Sequence, residues 1–363
     1  MPLPKNKKLK LLILTQKVDD ADGLLGFFHD WLKEFANNFS QVTVICLYKG
    51  KYDLPANVRV LSLGKEDRPS RWRYLWRFYK YLWLVRHDYD AVFVHMNVVY
   101  VILAGLIWRL QGKIIGLWYA HKAVNFKLRL AELLADIIFT ASPESFRLAS
   151  AKVKIVGHGI DIDKFCLKDW ATARQDKLQI VSVGRISEIK NQLLLIKAVD
   201  ILVHELGIKN ITLSFIGSPP NLDGLRYAAL LKEEIKKRRL EDYIDWIGNI
   251  PNKDLPYYYQ QADLSINLCP TGGLDKVVLE SLACGVPAVV YNQTFSVILG
   301  DYQDLLLLEK ADSRELAVKI KKLSELDSSE KQVMAVELRR IVVASYSIKN
   351  LVVNIKKAYG EEN

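Results

Sequence analysis

Cysteine is scarce in this sequence, with four in 363 residues. Cys46, Cys166, Cys269 and Cys284 are scattered and form no C-x-x-C pair. That excludes a disulfide scaffold and fits unpaired thiols in a reducing cytoplasm. Histidine is also rare, six in all, and no two have a zinc-ligand spacing such as H-E-x-x-H. Long apolar runs are missing. Leu9 to Leu14 is short and leads into Thr15-Gln16-Lys17 without a small-residue cleavage site, so no signal peptide is expected. The longest apolar region, Ala91 to Trp108, is broken by His95 and Asn97. It splits into a strand (Ala91 to His95) and a helix (Val98 to Leu110), which reads as core and not as a membrane span. Repeats and low-complexity segments are absent. Acidic residues are the minority charge, 41 against 51 Lys and Arg, giving a formal charge of +10 and a pI of about 9.2. An excess of cations points to an anionic partner: a phosphorylated substrate, an anionic membrane surface or nucleic acid.

Half of the residues are hydrophobic and a quarter charged, as in a globular chain long enough for two domains. Apolar strands alternate with helices. Leu9 to Leu14, Val42 to Leu47, Val58 to Leu63, Lys113 to Trp118, Ile137 to Thr140 and Val153 to Val156 read as strands of a first sheet. The second half repeats the alternation. Its strands fall near Leu178–Val183, Ile211–Ile216, Ile244–Trp246, Leu264–Asn267 and Ala288–Tyr291. This pattern argues parallel sheets with right-handed crossovers, an α/β fold of two Rossmann-like domains.

The most informative stretch is NLCPTGGLDKVVLESLACGVPAVVYN, residues 267–292. It reads as strand end, glycine turn, helix, glycine stop and next strand. Gly285 falls where a helix end wants positive φ, and Pro287 starts the following strand. The helix begins just after Gly272-Gly273, so its free N–H groups and positive dipole end suit a phosphate. Glu280, inside this apolar helix, is either surface or a buried acceptor for ligand hydroxyls. Upstream, VSVGRISEIKN puts Arg185 at a strand end and Lys190 at the next helix start. Two cations at the C-terminal edge of a parallel sheet suit a diphosphate, although solvated loop cations are the plainer reading.

These residues resemble the nucleotide-sugar domain of family 4 retaining glycosyltransferases, which have the GT-B fold. The family pattern of Gly-Arg followed by Lys-Asn is met by Gly184-Arg185 and Lys190-Asn191. Its Leu-Glu-x-x-Ala-x-Gly-x-Pro ending is met by Leu279-Glu280-Ser281-Leu282-Ala283-Cys284-Gly285-Val286-Pro287. The first glutamate of its Glu-x7-Glu segment falls at Gly272, so the contact to the donor sugar is left to Asp275 or Lys276. Asp275 could instead cap the helix. Asp136-Ile137-Ile138-Phe139-Thr140-Ala141-Ser142 and Gly157-His158-Gly159-Ile160-Asp161 are similar to two further family stretches.

The resemblance implies two doubly wound domains facing a cleft. Residues 1–165, plus a C-terminal helix in 345–363 that crosses back, form the acceptor-side domain, and residues 166–344 form the nucleotide-sugar domain. A polar linker is expected at 165–176. The implied reaction moves a sugar from a nucleotide diphosphate donor to a glycan or lipid-linked acceptor with retention. Arg185 and Lys190 would meet the diphosphate, the amides of Gly273 to Val277 its oxygens, and Glu280 the ribose. Gly217 and Gly248, at strand ends, would reach the nucleotide. His121, after the Lys113 to Trp118 strand, would touch the sugar, with His95 as second choice. Gly23 and Gly26 fall where the family has a glycine loop facing the cleft. No cofactor or metal is expected. Asp19, Asp20 and Asp22 lack the spacing of a calcium loop, since Val18 and His29 stand at ligand positions, and Asp161-x-Asp163 falls in the interdomain turn. A non-catalytic nucleotide-sugar binder and a GT-B sugar epimerase are the alternatives.

One feature lies outside this pattern. RPSRWRYLWRFYKYLWLVRHDYD, residues 68–90, interleaves Arg68, Arg71, Arg73, Arg77, Lys80 and Arg86 with Trp72, Trp76 and Trp83. Cations with interfacial aromatics suit an anionic membrane surface, which would make the protein peripheral on the cytoplasmic face. The competing reading packs Leu75, Phe78 and Leu82 inward and leaves the cations solvated. Nucleic acid, which such residues can also bind, is not the expected partner.

Overall fold

A computed structural model describes residues 8–67, 70–169, 177–270 and 272–360. Arg68, Thr271 and most of the expected linker lie outside the described residues. The chain divides into two compact units. One comprises Met1–Asp161, Pro251–Lys253 and Tyr346–Asn363, the other Ile162–Ile250 and Asp254–Ser345. The division thus falls at Asp161 rather than after residue 165.

The first unit is built on seven parallel strands: β1 (Lys10–Val18), β2 (Gln41–Lys49), β3 (Val58–Ser62), β4 (Ala91–His95), β5 (Ile114–Trp118), β6 (Ile137–Thr140) and β7 (Val153–Ile155). Their order is β3-β2-β1-β4-β5-β6-β7. Leu11 to Leu14 are buried without alternation, because helices cover both sheet faces. On one face lie α1 (Phe27–Asn38) and the last helix, Ile348–Ala358. Phe28, Trp31, Leu32 and Phe35 of α1 are buried at helical spacing. Tyr359, just past the last helix, is buried and donates its hydroxyl to Val92 O at 2.8 Å. The C-terminal helix therefore belongs to the first sheet. On the other face lie α2 (Arg71–Leu84), α3 (Val98–Leu110) and α4 (Phe126–Leu134).

The helix expected over 68–90 is shorter than read. α2 stops at Leu84, and Val85 and Tyr89 turn into the core ahead of β4. Only Phe78 and Leu82 of α2 are buried, whereas Trp72, Trp76 and Trp83 are 80%, 62% and 67% exposed.

The second unit has five parallel strands: β8 (Leu178–Val183), β9 (Ile211–Ile216), β10 (Ile244–Gly248), β11 (Leu264–Asn267) and β12 (Ala288–Val290). Their order is β10-β9-β8-β11-β12. Intervening helices are α5 (Gln192–Asp200), α6 (Leu222–Lys237), α7 (Leu255–Gln261) and α8 (Lys276–Ala283). The order reverses between β8 and β11, and such a switch point is where open parallel sheets bind ligands. Both units are doubly wound parallel sheets of the Rossmann type.

Among the described residues Cys46, Cys166, Cys269 and Cys284 form no disulfide. Burial pushes Cys46 up to about 12 and raises Cys284 as well, so both stay protonated and inert.

Candidate functional site

At the C-terminal edge of the second sheet, three neighbouring strands end in glycine. Gly184 N donates to Ile216 O at 2.9 Å and Gly217 N to Gly248 O at 2.7 Å. Gly217 has φ +137°, and a Cβ there would come within 2.0 Å of Gly184 O. Only glycine fits at that strand end, where the chain must turn against its neighbour. Gly248, at φ +83°, closes β10 beside it.

The loop from β8 to α5 carries Arg185 and Lys190 and is tied down at both ends. Gln192 Nε2 donates to Arg185 O at 2.9 Å, and Asn191 Nδ2 donates to Leu268 O, just past β11, at 3.1 Å. Asn191 sits in the left-handed region, φ 53°, which asparagine tolerates better than most residues. Arg185 is exposed and makes no ion pair among the described residues. It lines a groove of roughly 590 Å³ between this loop and the start of α6, with Glu188, Asn221, Arg226 and Tyr227.

Lys190 points elsewhere. Its Nζ lies 2.5 Å from Asp275 Oδ2, and the two side chains are 16% and 29% exposed. Asn267 Nδ2 donates to the same oxygen at 2.9 Å. Asp275 holds the N-cap position of α8 but makes no side-chain cap bond, so its carboxylate serves Lys190 and Asn267 instead of the helix. Oδ1 has no partner among the described residues. Asn292, just past β12, donates to Gly273 O at 3.0 Å, which fixes the turn from its other side.

Gly272 has φ +130°, with open space where a side chain would project. Lys276 and Val277 open α8, half-buried, at the positive end of the helix. Glu280 is 2% exposed. It is the buried of the two readings, and burial together with its charge raises the Tyr259 phenol well above the usual value. Tyr259 donates to Val277 O at 2.9 Å. At the other end of α8, Val286 N reaches Ser281 O and Gly285 N reaches Leu282 O, with Gly285 at φ +73°. This is the Schellman stop that the sequence requires.

The second unit therefore gathers Lys190, Asp275, Gly272, Gly273, Lys276, Val277 and Glu280 around one turn. Arg185, Gly217 and Gly248 stand at the adjoining strand ends. Sequence reasoning missed Asn267 and Asn292, the two amides that brace the turn. Asn267 ends β11 and Asn292 lies two residues past β12, positions at strand ends that could have marked them.

His121 and Gly26 belong to the first unit. His121 is exposed, and its Nδ1 accepts from Ala123 N at 3.1 Å. His95 is buried and stacks on Phe28 with centroids 4.2 Å apart, a core position. Gly26 is αR at the N-cap of α1, and a Cβ there would meet Asp22 O at 2.4 Å. Among the described residues no group of three or more His, Cys, Asp or Glu could hold a metal ion. No described helix is long and apolar enough to cross a membrane.

Comparison with known proteins shows similarity centred on the second unit. Residues 167–339 match the family model "Glycosyl transferases group 1". The D-inositol 3-phosphate glycosyltransferase of Kribbella flavida is 27% identical over 38% of this chain and 34% of its own length. The alpha-monoglucosyldiacylglycerol synthase of Streptococcus pneumoniae is 29% identical over 80% of this chain and 54% of its own. The chain thus spans about a third to a half of the length of these curated relatives. Among solved structures, Anabaena Alr3699/HepE in complex with UDP and glucose superposes with a TM-score of 0.76 at 18% identity, over 98% of this chain and 100% of that one. That likeness establishes the shared GT-B fold.

Proposed function

We propose that this chain, a GT-B protein with a glycosyl transferases group 1 domain at residues 167–339, transfers a sugar from a nucleotide diphosphate donor to a glycan or lipid-linked acceptor with retention of configuration. The observation that carries the proposal is the turn between β11 and α8. It sets a carboxylate with one open oxygen against Lys190, and places the start of α8 and a buried glutamate beside the switch point of a parallel sheet.

Each group has a task in that chemistry. Arg185 and Lys190 neutralise the leaving diphosphate as its charge develops. The amides at the start of α8 hold its oxygens, helped by the positive helix end. Glu280 accepts from the ribose hydroxyls. Asp275 supplies through Oδ1 the sugar contact that Gly272 lacks, and His121 is assigned to the transferring sugar. Sugar transfer needs no metal in this scheme, since two cations and a helix end carry the charge. The relatives named for inositol phosphate and diacylglycerol acceptors support a polar or lipid acceptor without choosing between them. The exposed tryptophans and cations of α2 favour the lipid-linked one: we assign that helix to an anionic membrane surface, which would hold the enzyme peripherally on the cytoplasmic side.

The experiment is thermal unfolding with a panel of nucleoside diphosphates. Binding to the native state raises Tm by linkage, with or without chelator, and Lys190→Ala removes the shift without lowering the unliganded Tm by more than a few degrees. A strict magnesium requirement, or an equal shift in the variant, contradicts the assignment.

A further inference from the structure

We infer that Asp275 is an internal anion that occupies Lys190 until a donor diphosphate displaces it, so that ligand entry exchanges one anion for another. The inference deepens the proposed function and rests on its reading of Lys190 as a diphosphate ligand.

Three observations carry it. First, the pair is built into the fold. Lys190 and Asp275 are 85 residues apart in sequence, yet Nζ and Oδ2 meet at 2.5 Å. Asn267, at the end of β11, donates to that same Oδ2 at 2.9 Å, so the carboxylate is aimed from the sheet. Second, Asp275 stands at the N-cap of α8 without capping it. An aspartate there ordinarily satisfies the helix amides. Here the carboxylate holds the cation instead of the helix. Third, the other cation is left open. Arg185 is exposed and makes no ion pair among the described residues, so one cation of the two is already available to an arriving phosphate.

The physical consequence follows from charge. A diphosphate that reaches Lys190 beside an ionised Asp275 meets a like charge a few ångströms away, in a half-buried setting where screening is incomplete. The carboxylate must swing off the ammonium, which frees Oδ2 to join Oδ1 at the sugar hydroxyls. When the nucleoside diphosphate product remains, the Lys190–Asp275 pair re-forms and helps to expel it. The wild-type site therefore binds diphosphate more weakly than its cations alone would allow, in exchange for release.

Asp275→Asn tests this. It keeps the side-chain size and an acceptor for Asn267, and removes only the charge. Affinities of UDP, GDP and ADP are measured by calorimetry, with uridine, guanosine and adenosine as phosphate-free controls. The diphosphate that binds wild type is expected to bind Asp275→Asn about three- to thirtyfold more tightly, with its nucleoside unchanged. The Lys190→Ala/Asp275→Asn double variant loses that gain. Asp275→Ser gives the same direction should the asparagine variant fold poorly. Unchanged or weaker diphosphate binding in folded single variants overturns the exchange while leaving the proposed function standing. Failure of wild type and every variant to bind any of the diphosphates overturns the proposed function, and the exchange with it.

Discussion

Replacing Arg71, Arg73 and Lys80 by glutamine should release the protein from anionic vesicles. The structure decides which cations belong in this test. Arg71 and Arg73 are exposed at the start of α2, and Lys80 lies over the Trp76 ring at 4.9 Å, so each can follow the tryptophans to a lipid surface. Arg77 does not qualify, because its Nη1 donates to Leu63 O at 3.0 Å and it lies 3.7 Å from Asp67. A cation near an anionic surface contributes about 1 kcal/mol. Three give ~3 kcal/mol, roughly a 150-fold fall in partitioning at 1.4 kcal/mol per tenfold. The apolar share is comparable. A tryptophan buries roughly 200 Å² when covered. Trp72, 80% exposed, could thus contribute up to ~4 kcal/mol at about 25 cal/mol per Å². The assay is flotation with phosphatidylglycerol–phosphatidylcholine vesicles at low and high salt, with Arg77→Gln as a control that loses about 1 kcal/mol of fold stability from one hydrogen bond. Equal recovery of wild type and triple variant at low salt, or no fall in wild-type recovery as salt rises, refutes the reasoning and leaves the helix as packing alone.

Three further outcomes are expected. Asp275→Asn should cut kcat/KM for the cognate nucleotide sugar by at least about tenfold, roughly 1.4 kcal/mol, because the sugar contact matters where the glycosidic bond breaks; full transfer activity would remove Asp275 from the chemistry. Gly217→Ala should destabilise the second unit by about 2 kcal/mol or more, read by denaturant unfolding, since its Cβ would lie 2.0 Å from Gly184 O at a strained φ; a change under about 0.5 kcal/mol would show that the strand end relaxes freely. Burial pushes Asp22 up, but hydrogen bonds from Lys17 and the Leu25 and Leu24 amides outweigh it and hold its carboxyl below the usual 3.8. Its stabilising share is therefore complete above that value and lost as pH falls through the lower folded pKa, so Asp22→Asn should flatten the acid limb of the stability curve.

Much of this architecture was legible in the sequence because it is local. Strand–helix alternation, the stop at Gly285 and the cations at Gly184-Arg185 and Lys190-Asn191 are written in contiguous residues with known periods. The resemblance to group 1 glycosyltransferases likewise rests on short runs of neighbours. What was not legible depends on partners far apart. Nothing near Asp275 announces that Lys190 will be its counter-ion, or that Asn267 will aim it, since sheet order alone brings β8, β11 and α8 together. The same holds for Asn292 and Gly273. The helix of residues 68–90 was overextended because its aromatic spacing continues past Leu84, whereas Val85 and Tyr89 are drawn off the helix into the core beneath β4.

The central claim is that the turn at residues 272–277, with Arg185 and Lys190, receives the diphosphate of a sugar donor and releases it in transfer. It is tested most directly by incubating wild type and Lys190→Ala with UDP-, GDP-, ADP- and dTDP-sugars and measuring nucleoside diphosphate release. Wild type should release diphosphate from one donor class. Lys190→Ala should fall by about ten- to a hundredfold, the loss of one charge-assisted hydrogen bond of about 1.5–3 kcal/mol, while keeping its fold. Equal release by both proteins, or none from any donor with wild type, would contradict the account.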